Sequence, residues 1–243
     1  QLACEERGAA LKVIPINSHG ELEMEEFRRL ISAKTAIVAV THISNALGTV
    51  NPVKDLITIS HNHGVPVLID GAQAIPHMQV DVQELDADFY CFSAHKMYGP
   101  MGIGVLYGKE VLLNKMPPYQ GGGEMIDKVS FHETTCQEIP FKFEAGTPNV
   151  GDAIAFSEAI GFINDTGYDT IGRHEDDLLE YTTSMLAGFP GVRFIGTAGK
   201  RAGVVSFIFD KVHPYDIGMI LDKFGIAVRT GNHCAQPVMD FYG

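Results

Sequence analysis

Residues 67–104 read VLIDGAQAIPHMQVDVQELDADFYCFSAHKMYGPMGIG. A short apolar strand closes on Asp70. A second apolar strand ends at Ser93 and is followed at once by His95 and Lys96. Working outward, Leu11–Ile16, Thr35–Thr41, Val65–Ile69 and Phe89–Ser93 read as strands, and Glu21–Ser32 and Val53–His63 as helices. Gly102–Tyr107 follows so closely that it reads as a strand running back beside its predecessor. Apolar strands separated by helices predict an α/β fold with a mainly parallel sheet covered on both faces. Ligands of such sheets bind at the carboxyl ends of the strands. Asn45, Asp70 and Lys96 all fall just after strands.

Beyond this unit the text changes. Residues 117–148 look irregular and carry the run Gly121–Gly123. Then follow a helix over Ala153–Thr166, strands over Val192–Ile195 and Gly203–Phe209, a helix over Tyr215–Phe224 and a strand over Ile226–Arg229. We therefore expect two units: part of a large domain over residues 1–151 and part of a smaller α/β domain over residues 152–243.

The 243 residues include 30 acidic and 18 basic side chains, a net charge of −12. No basic block occurs, which argues against nucleic acid and anionic membrane surfaces as partners. No apolar run approaches the roughly 18 residues of a spanning helix. Four widely spaced cysteines form no CxxC pair, so neither a zinc site nor a disulfide scaffold is indicated and a reducing cytoplasm is expected. The chain starts at Gln1 in helical text and stops just after a loop, and so reads as an internal piece of a longer protein.

Lys96 is the first chemical candidate. An imine-forming lysine must lose its proton near neutral pH, and Ser93, His95 and the following glycines set this lysine apart from a surface one. An aspartate closing an apolar strand, like Asp70, is costly to bury unpaired. A protonated pyridine nitrogen would pair with it, although an N-cap for the segment that follows is the plainer alternative. Gln73 lies within reach of a ring oxygen, or is a polar surface residue. Ser93 and His95 suit a phosphate. Cys234 lies in RTGNHCAQP (Arg229–Pro237), where a nearby cation or imidazole favours the thiolate. The alternatives are a plain free thiol or a metal held by His233 and Cys234 with His61 and His63, a spacing that fits no standard site. A lysine, an aspartate and a loop cysteine together suggest pyridoxal 5'-phosphate (PLP) chemistry on sulfur.

THISNALGTVNPV (41–53), VLIDGAQA (67–74), DADFYCFSAHKMYGPMGIGVLYG (86–108), GGGEMI (121–126), FEAGTPN (143–149) and RTGNHCAQP, in this order and spacing, resemble the group II, SufS-type cysteine desulfurases and selenocysteine lyases. These are class V aminotransferases of PLP fold type I. The resemblance implies a seven-stranded-type sheet, only part of it here. It implies that Lys96 carries the PLP imine, that Asp70 meets the pyridine nitrogen, and that Asn45 and Gln73 touch the cofactor oxygen and the substrate side. Ser93 and His95 would hold the phosphate, Cys234 would bear a persulfide, and Arg229 would lie in the substrate region. Gly121–Gly123 and Thr147 would sit near a homodimer interface. The implied substrate is L-cysteine or L-selenocysteine, and the implied partner a sulfur acceptor of the SufE/SufU type in cytoplasmic iron–sulfur cluster assembly. The chain departs from the family at Asn232, where a second histidine is usual. The family's ring-stacking histidine and Gly/Thr phosphate cup lie upstream of these residues, and a substrate-carboxylate arginine lies downstream. A class V aminotransferase, a kynureninase-like enzyme and a scaffold without cofactor are the remaining readings.

Overall fold

The computed structural model describes residues 1–243. In chain order the first half holds α1 (Leu2–Arg7), α2 (Met24–Leu30), β1 (Val38–Thr41), α3 (Val53–Asn62), β2 (Val67–Asp70), α4 (Val82–Leu85), β3 (Phe89–Ser93), a 3-10 turn (Ala94–Lys96), β4 (Gly104–Gly108) and α5 (Glu110–Lys115). The second half holds β5 (Ile126–Val129), β6 (Thr134–Cys136), a 3-10 turn (Phe141–Phe143), α6 (Val150–Thr166), α7 (Tyr168–Ala187), β7 (Val192–Ile195), β8 (Ser206–Phe209), α8 (Pro214–Lys223) and α9 (Gln236–Tyr242).

The central sheet runs β1-β2-β3-β4. β1, β2 and β3 are parallel, while β4 returns antiparallel to β3. Val67, Ile69 and Tyr90 of the sheet are fully buried against Leu56 and Ile57 of α3 and Phe27 of α2. Each such side chain contributes about 1.5–3 kcal/mol by leaving water. Between β2 and β3 the short α4 is started by Asp81, whose carboxylate accepts from the backbone N–H groups of Gln83 and Glu84 at 2.8 and 2.9 Å.

α6 begins at Val150, where the Asn149 side chain accepts from the Asp152 N–H. Its Phe156, Ala159 and Ile163 share a core with Ala94 and Met97, the residues around the turn after β3. That packing fixes the loop that carries Lys96. A third core joins Ala46 and Leu47 to Ile195, with Val238, Met239 and Tyr242 of α9 packed on it. It brings the end of the chain to the loop after β1.

The structure departs from the sequence reading in several elements. Leu11–Ile16 forms no strand, only an isolated bridge from Ile16 to Leu22. No strand flanks this stretch, Pro15 has no N–H to donate, and Val13 is exposed. Ile226–Arg229 likewise has no strand partner and is exposed. The irregular stretch after residue 117 contains the β5–β6 hairpin. The 20-residue α7 leaves little trace in the sequence, because only Ile171 of its side chains is buried and its apolar stripe is sparse. No helix is long and apolar enough to cross a membrane.

Candidate active site

Three parallel strands end at one edge of the sheet, and their register sets the site. Thr41 pairs with Asp70, and Asp70 with Cys91. Two residues beyond Cys91, β3 gives way to the turn that holds Lys96. A cavity of about 250 Å³ opens at this edge, lined by Thr41, Asn45, Asp70, Ala72, Gln73, Lys96 and Cys234. An amine, a carboxylate, two amides and a thiol thus face one space. A larger open groove of about 410 Å³ runs along α7 beside Asp176, Glu180, Thr183 and Arg201. It offers neither a lysine nor a cysteine, so the chemistry selects the smaller cavity.

Asp70 closes β2 and begins a turn. Its Oδ1 accepts from the Ala72 N–H at 2.9 Å, while its backbone carbonyl accepts from the His42 N–H at 2.8 Å. Oδ2 is left without a protein donor and the residue is exposed on the cavity side. The turn passes directly over a tyrosine. A Cβ placed on Gly71 would lie 1.9–2.2 Å from the ring and hydroxyl of Tyr90, so only glycine fits. Tyr90 is wholly buried, and its hydroxyl stands 3.0 Å from Nδ1 of buried His42. Burial, followed by the charge of Asp70, pushes the Tyr90 hydroxyl well above its ordinary range. Burial, followed by the charge of Lys200, pulls His42 down to about 4. Asp70 therefore stands on a neutral, close-packed floor.

Lys96 makes no ion pair with any protein carboxylate, and it is the one lysine in the cavity wall. Ser93 Oγ and His95 Nδ1 lie 2.7 Å apart, just outside the cavity lining. Cys234 is exposed on the far wall. It arrives with His233 on a segment in which both residues have positive φ, 49° and 57°. The Asn45 side-chain amide donates to the His233 carbonyl at 2.6 Å.

Of the residues expected from the sequence, Asn45, Asp70, Gln73, Lys96 and Cys234 meet in this cavity, with Ser93 and His95 beside it. Arg229 is exposed and not part of its wall. Gly121–Gly123 and Thr147 are also outside it. His61 lies between Asp86 and Asp88, and His63 bonds the Ile59 carbonyl, so neither joins Cys234. Two wall residues, Thr41 and Ala72, escaped the sequence reading. Thr41 could have been found, since it closes the strand neighbouring the one that Asp70 closes.

The groups present fit the ring end of PLP. The open Oδ2 of Asp70 can meet a protonated pyridine nitrogen, the unpaired amine of Lys96 can meet an aldehyde, and the Ser93–His95 pair offers polar hydrogens next door.

Comparison with known proteins gives a consistent answer. The aminotransferase class-V family matches residues 1–243. A cysteine desulfurase of Salmonella newport (strain SL254) is 50% identical over 244 residues, covering 100% of this chain and 60% of the relative. The chain thus spans 60% of the length of that curated relative. Among solved structures, the cysteine desulfurase CsdA (S-sulfonic acid) from Escherichia coli superposes with a TM-score of 0.93 at 38% identity, covering 98% of this chain and 59% of that one. The apo cysteine desulfurase of Thermococcus onnurineus NA1 gives 0.93 at 40% identity, covering 98% and 60%.

Proposed function

Because the chain belongs to the class-V aminotransferase family, we propose that the protein it comes from is a PLP-dependent cysteine desulfurase, converting L-cysteine to L-alanine and leaving the sulfur on Cys234. The observation that carries this reading is the shared cavity of Asp70, Gln73, Lys96 and Cys234. An aminotransferase needs the first three and has no use for the fourth.

PLP, when bound, supplies the aldehyde that captures the substrate amine and the ring that takes up electrons from its Cα. The residues of this chain do the remainder. The Asp70 carboxylate, with Oδ2 open to the cavity, would hold the ring nitrogen and favour its protonated form. Gln73 and Asn45 offer amide hydrogens to oxygens of the cofactor and substrate. Lys96, the one amine in the cavity wall, would hold the cofactor by its aldehyde carbon, and its Nζ, when free, would take the Cα proton of the substrate. Cys234 Sγ, as thiolate, attacks the substrate sulfur. A sulfur–sulfur bond forms as the Cβ–sulfur bond breaks, and the released electron pair is retained on the carbon skeleton until protons convert it to alanine. Ser93 and His95 are assigned to the phosphate, and Arg229 to the substrate region.

Several finer readings belong to the same proposal. Residues 1–151 and 152–243 represent a large and a small domain. The whole protein is a cytoplasmic homodimer, with Gly121–Gly123 and Thr147 near its interface. The exposure of Cys234 suits delivery of sulfur to an acceptor protein of the SufE/SufU type for iron–sulfur cluster assembly.

The test is to incubate the PLP-loaded full-length protein with L-cysteine and follow both alanine and the mass of the Cys234 peptide. Stoichiometric alanine with one added sulfur on Cys234 is expected. In Cys234→Ser the cofactor should stay bound while sulfur transfer stops, since a hydroxyl is far too weakly acidic to replace the thiol. Alanine formation at wild-type rate in that variant would refute the assignment. L-selenocysteine run in parallel reports the substrate preference.

A further inference from the structure

We infer that Asn45 is a positioning residue which pins the strained Cys234 segment and couples it to the cavity that Lys96 lines. This deepens the reading of Cys234 as the sulfur-accepting thiol and rests on it.

The segment needs a restraint. His233 and Cys234 are consecutive non-glycine residues in the left-handed region, with φ of 49° and 57°. That conformation is unfavourable for residues bearing a Cβ and persists only where the surroundings impose it. Upstream the support is slight: residues 222–232 are all exposed, and Thr230 and Val228 reach α8 at Gly218. Downstream, α9 is held firmly, with Val238, Met239 and Tyr242 packed on Ala46, Leu47 and Ile195. Between this exposed stretch and the anchored helix, two hydrogen bonds hold the backbone. One is internal, from the Ala235 N–H to the Asn232 carbonyl at 2.7 Å. The other is the bond from Asn45 Nδ2 to the His233 carbonyl, 2.6 Å long and bridging 188 positions of sequence. It ties the segment to the sheet.

Asn45 is well suited to the task. Its loop is rigid: the Ser44 N–H donates to the Thr49 carbonyl and the Gly48 N–H to the Ser44 carbonyl, both at 2.9 Å. Ala46 and Leu47, its neighbours, are 2% and 3% exposed. The donor is thus presented from a fixed base. The same side chain lines the cavity with Asp70 and Lys96. An amide has a second hydrogen and an acceptor oxygen beyond the bond it makes to His233. A polar ligand that engages those atoms alters the bond on the other side, and the coupling is reciprocal. Occupancy of the cavity is thereby communicated to the nucleophile.

Hydrogen–deuterium exchange on the PLP-loaded full-length protein tests this. The probe regions are amides 232–235 and, as a reference, β1 to β3. Asn45→Asp keeps the shape of the side chain but loses the donor, and should raise exchange in the loop about three- to tenfold, the loss of one ordinary hydrogen bond. Asn45→Gln keeps a donor and should retain most of the protection, a rescue that a purely steric role would not give. The reference strands should be unchanged in all forms. Saturating L-alanine, the product-like probe, should slow exchange in the wild-type loop and leave Asn45→Asp unaffected. Equal loop exchange in wild type and Asn45→Asp, no rescue by Asn45→Gln, or no response of the wild type to L-alanine would overturn the inference. Persulfide on Cys234 is measured separately. Its absence with the exchange pattern intact sinks the desulfurase reading, and its presence with a flat exchange pattern sinks the role of Asn45.

Discussion

At the scale of single residues, the site is defined by what its members are not bonded to. Asp70 Oδ2 and Lys96 Nζ find no partner in the protein. An unpaired acid and an unpaired amine in one cavity are poised for a ligand that carries the complements. Lys96→Ala should therefore abolish the imine. Borohydride reduction of the PLP-loaded wild type should fix a pyridoxyl group on the Lys96 peptide alone, and a label on any other lysine would reject the assignment. Gly71 makes the opposite kind of contribution, through what it lacks. In Gly71→Ala the new methyl must displace the Tyr90 ring beneath it, or lift the turn that aims Asp70. Overpacking of this kind costs about 1–3 kcal/mol. Thermal unfolding should register that loss, and a PLP titration should register the misaimed carboxylate. Unchanged values in both would show that the turn is softer than its packing implies.

At the scale of elements, buried polar groups tie strands and helices together and give stability its pH dependence. His42, on the loop after β1, meets Tyr90 of β3 and is held neutral, with its pKa pulled down to about 4. As pH falls from about 6.5 to about 4, the unfolded chain binds a proton that the native ring refuses, so stability falls across that window by about 3 kcal/mol. His42→Asn should flatten this acid limb, measured as urea midpoints against pH, and an unchanged limb would rule His42 out. Asp88 behaves differently. Burial pushes it up, but hydrogen bonds from His61, Lys109 and the Val67 N–H outweigh that and hold it below the usual carboxylate range. Its contribution is present at neutral pH and is lost only below the His42 window. These contacts lash α3, β2, β3 and β4 together. They also mark the limit of sequence reading. The strands around Asp70 and Lys96 were legible because full burial writes continuous apolar runs. α7 was not, because it buries one side chain. Leu11–Ile16 misled, because a strand needs a neighbour and its own text cannot supply one. Cys234 was legible as chemistry, whereas the bond that Asn45 makes to its segment joins two loops and leaves no periodic trace.

For the whole molecule, area is the telling quantity. The accessible surface is 15,899 Å², against about 10,600 Å² expected for a self-contained monomer of this mass. Large apolar side chains share in the excess: Phe131 is 105% exposed, Met101 81% and Phe224 76%. Surface of this kind needs cover, from the rest of a longer chain or from a second copy. The isolated 243-residue segment should therefore bind a hydrophobic dye such as ANS strongly and unfold with poor cooperativity, while the full-length protein should do neither. Its PLP affinity should be weaker by about a hundredfold, the loss of two charge-assisted hydrogen bonds at about 1.5 kcal/mol each. A segment that is dye-silent, cooperative and equal to the full-length protein in PLP affinity would show that the cavity is self-sufficient.

The distance along the chain between Lys96 and Cys234 has a consequence for biosynthesis. Thr41, Asn45, Asp70, Gln73 and Lys96 come from a single run of fewer than sixty residues, whereas Cys234 follows roughly 140 residues later. Synthesis at about 5–20 residues per second delivers the run first. For several seconds the nascent chain carries the amine and the acid and no thiol, and the turn that bears Lys96 gains its packing when α6 follows. A cofactor captured in that interval would meet Lys96 before Cys234 exists, with no thiol of this loop to compete for its aldehyde. The order of residues along the gene thus becomes an order of assembly, with the most reactive group admitted last.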